Sequence, residues 1–405
     1  MSNMTKLDLQ AIQSELRSAG IDGWLLYDFR GTNPLARRVL GFDPQTMSTR
    51  RWFYFIPATG TPRKLVHRIE SAALDHLPGE RHVYLRWQEL EEGVRWTLSD
   101  IKNGIAGLRI AMEYAPGVSN PYLSRVDAGT IEFVRSLGVE IVSSGDLVQQ
   151  FEATWSAAQW QMHQQAAKWT AQAFEVAWQY ISDRVRSSGN TTELDVQQQI
   201  IAFLHEKQMV FDHPPIVAVG AHSGDPHYEP TESSNLPIAE GDLVLIDLWA
   251  KLHQPNAVYS DLTQMGYVGT QVPEKYAQMF GILAAARDAG IRAVQDAFAT
   301  NRAVCGWEID DACRTVIEQA GYGEYFIHRT GHNIGTEDHG NGAHIDNMET
   351  HDQRRLLRGT CFSIEPGIYL PEYGMRSEVN VFIDEQGRVH VTGGTPQQAI
   401  RAVLA

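Results

Sequence analysis

Four acidic residues stand inside segments whose composition otherwise calls for burial: Asp247 in LVLIDLWA, Asp261 in AVYSDLTQMGY, Glu365 in CFSIEPGIYL and Glu378 in GMRSEVNVFI. Each run reads as a β-strand. An ionised carboxylate withdrawn from water without a partner is strongly unfavourable, so such a chain is restricted to folds that compensate these acids. For any one of them an arginine or backbone amides would suffice. Asp247 and Asp261 occupy successive strand-like segments, and a hairpin would set them side by side. Like charges at that range oppose each other's ionisation unless a cation lies between them. His332, in TGHNIG, adds an imidazole among small residues that permit close backbone approach. It is one of four histidines, with His328, His339 and His344, in HRTGHNIGTEDHGNGAH. Carboxylates and imidazole converging from separate segments suit hard or borderline divalent cations. With two cations, bridging carboxylates hold them together and a bound water becomes a hydroxide at neutral pH.

The organisation of the chain is compatible with such a cage. Its 405 residues suggest two domains. The first segment alternates helical and strand-like stretches (LDLQAIQSELRSAG, then GWLLYD, WFYFIP, RKLVHRI, HVYLRW, RIAMEY and VEIVSS), which predicts an α/β layer around a central sheet. A long helix follows over WSAAQWQMHQQAAKWTAQAFEVAWQYISDRVRSSG, free of proline and glycine before Gly189. The four tryptophans that punctuate it, Trp155, Trp160, Trp169 and Trp178, read as packing anchors. Thr192 and Asp195 form a capping pair for the next helix. From Val210 onward the strand-like segments predominate, interrupted by helices near 273–299 and 308–320. The domains are placed at 1–155 and 156–405.

A net charge of −15 argues against nucleic-acid or anionic-membrane binding, both of which want a basic face. The polar, amphipathic start lacks the apolar centre of a signal peptide, and no apolar run is long enough to span a bilayer. Three cysteines without CxxC spacing give neither a disulfide framework nor a thiolate zinc site. A cytoplasmic setting is expected.

Taken together, IDLWAK, YSDLT, RTGHNIG, FSIEPGIY and GMRSEVNVF resemble the five metal-ligand motifs of the pita-bread metallopeptidases, the family of methionine aminopeptidase, Xaa-Pro aminopeptidase and Xaa-Pro dipeptidase (prolidase). The resemblance runs from about Ser156 to the C-terminus. The added N-terminal α/β domain resembles that of the proline-specific branch and of creatinase. The fold it implies is a creatinase-like α/β domain followed by an α+β pita-bread catalytic domain. The activity it implies is hydrolysis of Xaa-Pro bonds, in dipeptides first, by a hydroxide bridging two divalent ions (Mn²⁺, Zn²⁺ or Co²⁺). Asp247 would chelate one ion, Asp261 and Glu378 would bridge both, and His332 and Glu365 would complete the second. Glu365 would also shuttle the proton to the leaving imino nitrogen. His339 and His227 would contact the substrate, with His222 the competitor for the latter place, and Arg376 would brace the ligands. The resemblance assigns no chemistry to His328 or His344.

The pattern departs from the family in three places. LHQPNA lengthens the interval between the aspartates. Leu248 and Trp249 replace the usual Gly-Ala. His351, with Arg354 and Arg355 after it, falls near the arginine that grips the substrate carboxylate in prolidases. Competing readings are an Xaa-Pro aminopeptidase acting on longer peptides, a metal-free scaffold that binds a partner, and a creatinase-like enzyme that works without metals. Organophosphate esters would be side substrates. A homodimer is implied by resemblance.

Overall fold

The computed structural model describes residues 7–405 apart from positions 44, 103 and 119. The first six residues of the amphipathic start lie outside that range. The chain divides into two compact units, Met1–Glu152 and Ala153–Ala405, three residues before the boundary drawn from the sequence.

In the first unit a six-stranded sheet runs in the spatial order Glu80–Tyr84, Arg63–His67, Trp52–Pro57, Gly23–Asp28, Arg109–Met112, Glu140–Ser143. Pairing is mixed, antiparallel among Gly23–Asp28, Trp52–Pro57 and Arg63–His67 and parallel elsewhere. The central strands Gly23–Asp28 and Trp52–Pro57 are buried along their whole length. That explains why they read as continuous apolar runs and not as alternating ones. Trp24, Trp52 and Tyr54 fill one side of the sheet.

The second unit is built on the helix Ala157–Ser188. Ser156 opens it by accepting from the Gln159 amide, and Gly189 ends it in the left-handed region at φ 87°. Its inner face, Phe174, Trp178 and Ile181, packs on Val244, Ile246, Leu248 and Ala250. Trp178 lies against Gly266, where a Cβ would stand 2.6 Å from the indole, so that strand position admits no side chain. Trp155 and Trp160 stack on Phe382, with ring centroids 5.2 and 4.2 Å away. Losing a large aromatic from such packing costs roughly 3–5 kcal/mol. The helices Glu193–Glu206, Glu274–Ala299 and Gly306–Gln319 complete the layer. No helix among the described residues is long and apolar enough to cross a membrane.

Three strand groups position the acids. Leu243–Leu252 pairs antiparallel with Ser260–Tyr267 and, on its other edge, with Ile216–Val219. The LHQPNA insertion therefore falls almost wholly in the hairpin loop and leaves the register of the aspartates alone. A four-stranded sheet follows, in the order Asn333–Ile334, Cys361–Ile364, Val379–Ile383, Val389–Thr392. A short ribbon pairs Gly367–Tyr369 with Gly374–Arg376.

CFSIEPGIYL and GMRSEVNVFI were each expected to form one strand, and each is broken. Pro366 offers no N–H to a ladder and restricts the residue before it. The chain accordingly leaves the four-stranded sheet at Ile364 and enters the ribbon at Gly367. On the returning arm the break falls at Ser377 and Glu378, between Arg376, paired with Gly367, and Val379, paired with Ile364. Glu365 and Glu378 thus lie in matching gaps of two neighbouring arms.

Candidate metal centre

The hairpin register sets the first half of the site. Asp247 lies opposite Thr263, and Asp261 lies opposite Trp249. Cross-strand partners share a face, as do residues two apart on one strand, so Asp247, Trp249, Asp261 and Thr263 all project to the same side. The backbone of Asp261 is clamped by Asn380, whose Oδ1 accepts from the Asp261 amide at 3.0 Å and whose Nδ2 donates to its carbonyl at 2.7 Å. That clamp ties the aspartate hairpin to the arm that follows Glu378.

Thr263 carries the same face to the glutamates by donating from Oγ1 to Glu378 Oε2 at 2.8 Å. Ser363 links the other arm. It accepts from the His332 amide at 3.0 Å and donates to Glu365 Oε1 at 3.0 Å. Gly331 makes this approach possible, because a Cβ there would stand 2.1 Å from the Ser363 carbonyl oxygen.

His332 is oriented by its surroundings. Its Nδ1 faces the carbonyl oxygens of Asp338 at 3.1 Å and Asn333 at 3.3 Å. Carbonyls only accept, so Nδ1 carries the proton. The Nε2 lone pair is then aimed at Asp261 Oδ2, 3.3 Å away, and Glu365 Oε1, 3.4 Å away. Burial, then His339 and Arg329, hold this imidazole well below its ordinary basicity. A neutral imidazole presenting a lone pair to two carboxylates is repulsive unless a cation stands between them.

The acids show the same tension. Burial, reinforced first by Asp338 and then by Glu378, Asp247 and Glu365, pushes Asp261 well above the ordinary carboxylate range. Burial, then Glu365 and Asp247, do the same to Glu378. Glu365 is raised to about 7 by burial, against the opposing pull of Arg376. Among the described residues, Asp247 Oδ1, Asp261 Oδ1 and Glu378 Oε1 are buried oxygens with no hydrogen-bond partner. Carboxylate oxygens left unsatisfied in this way are rare in folded proteins and ask for a ligand. The ligand atoms of Asp261, His332 and Glu378 lie within 4.8 Å of one another, and the donor set of oxygens with one imidazole suits a divalent ion. The residues present fit a metal.

Arg376 braces this group. Its Nη2 donates to Asp247, its Nε to Thr263 Oγ1 at 3.1 Å, and its Nη1 to the Tyr369 hydroxyl at 2.8 Å. Tyr369 in turn meets His328 Nε2 at 2.8 Å, so His328 is an outer support of the arginine. His339 lies over His332, with ring centroids 4.1 Å apart, and its Nδ1 is 3.3 Å from Arg329. Its basicity is lowered by burial of its inner edge, then by Arg329 and His227. His227 is exposed and close enough to act on His339. His222 is engaged elsewhere, with Nδ1 2.9 Å from Glu193 and its ring stacked on Tyr228 at 4.1 Å. His344 accepts the Asn333 amide at its Nδ1 and donates its own amide to Asp352, a buried structural position.

His351 does not join the group. It is exposed, bonded to Asn347 Oδ1 at 2.6 Å and tilted against Trp307. Asp346 accepts the amides of Met348, Glu349 and Thr350 and curls the segment into a tight turn, so residue spacing from Glu365 does not translate into proximity. Arg354 is buried against Asp352, and Arg355 bridges back to Cys305. Sequence reasoning missed Thr263, Ser363, Asn380 and Asp338. The first three lie two residues from a predicted ligand, a spacing that in a strand means the same face. Asp338 carried no comparable signal.

A model of metallopeptidase family M24 matches residues 161–385. The Xaa-Pro dipeptidase of Pyrococcus furiosus is 34% identical over 178 residues, which cover 44% of this chain and 46% of that relative. The probable dipeptidase PepE of Mycobacterium tuberculosis is 33% identical over 198 residues, 49% of this chain and 48% of that one. The matched stretch thus spans about half the length of these curated relatives. Dipeptidase PepE from Mycobacterium ulcerans superposes over 98% of this chain and 100% of its own, with a TM-score of 0.69 at 23% identity. The Xaa-Pro dipeptidase from Bacillus anthracis does so over 97% and 98%, with a TM-score of 0.63 at 22% identity. These likenesses extend over both units and establish the two-domain fold with its pita-bread second domain. More than half of the chain is matched, and that half contains every acid and histidine brought together above: the chain belongs to metallopeptidase family M24.

Proposed function

We propose that the protein hydrolyses Xaa-Pro bonds, with dipeptides as preferred substrates, using two divalent cations held by Asp247, Asp261, His332, Glu365 and Glu378. Mn²⁺, Co²⁺ and Zn²⁺ all suit this donor set. The observation that carries the reading is the gathering of buried carboxylates around His332: Asp247, Asp261 and Glu378 each keep an oxygen without a partner, and the Nε2 lone pair faces Asp261 Oδ2 and Glu365 Oε1. When bound, the metals would supply an activated water and polarise the scissile carbonyl. The chain's own groups supply the rest. Glu365, held by the Ser363 hydroxyl and facing Arg376, would take a proton and return it to the departing imino nitrogen, which leaves poorly unless protonated. Arg376 fixes Asp247 through a hydrogen bond and keeps Glu365 from rising further. His339 and His227, on the more exposed side of the group, are placed to donate to the substrate's carbonyl and carboxyl oxygens. The name of the Pyrococcus furiosus relative agrees with this substrate class.

The structure of an X-Pro aminopeptidase from Thermotoga maritima shares the fold, with a TM-score of 0.60, and keeps the longer-peptide reading in view. The deciding assay compares Ala-Pro and Gly-Pro with Arg-Pro-Pro, in chelator and with each metal restored. We expect metal-dependent hydrolysis of the dipeptides at the higher kcat/KM. Faster cleavage of Arg-Pro-Pro would move the assignment to an aminopeptidase, and a protein that takes up no metal would return it to a binding scaffold.

A further inference from the structure

Among the described residues, four buried carboxylate oxygens lack a hydrogen-bond partner: Asp247 Oδ1, Asp261 Oδ1, Glu378 Oε1 and Asp338 Oδ1. Three belong to the ligands named from sequence. The fourth, on the loop between Ile334 and His339, does not. Asp338 is only 8% exposed, and its ligand atoms lie within 4.8 Å of those of His332 and His339. Its Oδ2 is 3.8 Å from His339 Nε2, while its backbone carbonyl accepts from His332 Nδ1. The residue therefore holds the ligand imidazole with its main chain, while its carboxylate keeps an unpartnered oxygen within reach of both imidazoles.

The neighbouring charges do not account for it. Lys251 acts on Asp338, but its ammonium is bonded to the Thr336 carbonyl and lies 4.6 Å over the Tyr259 ring. Arg329 acts on it too, yet lies against His339. Asp212, Asp247 and Glu365 add only repulsion. A buried carboxylate with an unsatisfied oxygen, within 4.8 Å of the ligand imidazole of His332, answers to the same cation.

We propose that Asp338 is a sixth protein donor to the cation pair, on the His332–His339 side of the cage. The inference rests on the dinuclear reading above. Its consequence is a site with one more negative charge than five donors provide, which raises affinity for a divalent ion and favours oxygen-preferring cations.

The test is calorimetric titration of the full-length, chelator-stripped protein with MnCl₂, for wild type, Asp338→Asn and Asp338→Ala, with thermal unfolding of each variant with and without Mn²⁺. Wild type should bind two Mn²⁺. Both variants should bind one of the two roughly 10–100-fold more weakly. Because either change removes repulsion from the acid group, the metal-free variants should melt no lower than wild type, and their Mn²⁺-induced rise in Tm should be smaller. Two Mn²⁺ bound by both variants within twofold of wild-type affinities would overturn the sixth-donor role and leave the dinuclear reading standing. A wild type that binds no Mn²⁺ would overturn both.

Discussion

Replacing Glu365 by glutamine is expected to lower kcat on Ala-Pro by roughly 10²–10⁴-fold at saturating metal, with KM changed far less. The carboxylate lies in the gap beside Pro366 and is held by the Ser363 hydroxyl at 3.0 Å. It faces Arg376, whose Nε is 3.9 Å from Oε2. Without metal, burial raises it, the guanidinium restrains it, and the balance falls at about 7. With the ions bound, its place between Ser363 and Arg376 sets it beside the reacting groups, where a carboxylate can accept a proton and give it back within one turnover. Glutamine keeps the shape and the Ser363 contact but cannot carry the proton. The measurement is steady-state kinetics at saturating Mn²⁺, with bound metal determined on the same samples. A variant that keeps its metal and more than about a tenth of wild-type kcat would remove Glu365 from proton transfer.

The second large effect concerns the metal-free protein, which should lose stability as pH rises. Asp261, Glu378, Asp338 and Glu365 all have folded-state affinities for protons above those of the unfolded chain. Below the unfolded carboxylate range both states are protonated and nothing is lost. As pH climbs, the unfolded chain releases its protons first, and the folded state is penalised until it too has ionised. For Glu365 alone, moving from an ordinary 4.5 to about 7 corresponds to about 3 kcal/mol across that span. The buried neutral histidines His163, His328, His332, His339 and His344 work in the opposite sense as pH rises through the ordinary value of 6.5, so they offset part of the loss near pH 6.5. Above about pH 7 the carboxylates dominate. In chelator, Tm should fall between about pH 7 and 8, at roughly 1–2 °C per kcal/mol for a chain of this size. Saturating Mn²⁺ at pH 8.0 should more than restore it. A chelated protein whose Tm is level from about pH 7 to 8 and indifferent to Mn²⁺ would refute the repulsive cage.

Much of this is legible in the sequence. The aspartate hairpin followed from two acids in successive apolar strands, because period-two alternation fixes the face once the register is set. The long helix is legible from its run without proline or glycine up to Gly189, whose role at the end is local; Trp155, read as part of it, lies just before the Ser156 cap. The glutamates were recognisable as acids in the wrong company, yet their surroundings were misread. Each was assigned to a continuous strand, whereas Pro366 and the facing Ser377 interrupt both. Asp338 was hidden because TEDHGNG, rich in glycine and charge, reads like a solvated loop. Only the folding of that loop against Asn333, which donates to the Cys361 carbonyl and accepts the Gly342 amide, carries its carboxylate inward. His351 failed for the converse reason: counting residues from Glu365 took no account of the turn imposed by Asp346.

The paired interruption that separates Glu365 and Glu378 from their strands makes the cage mechanically uneven. Asp247 and Asp261 ride on a continuous ladder, and neither can shift without dragging its neighbours. The two glutamates lie where the ladders stop, each held by a single amide outside them, Glu365 to the Thr330 carbonyl at 2.7 Å and Glu378 to the Thr263 carbonyl at 3.5 Å. One wall is stiff and the other compliant, so discrimination between ions of similar radius has to come from donor charge and chemistry and not from a rigid aperture.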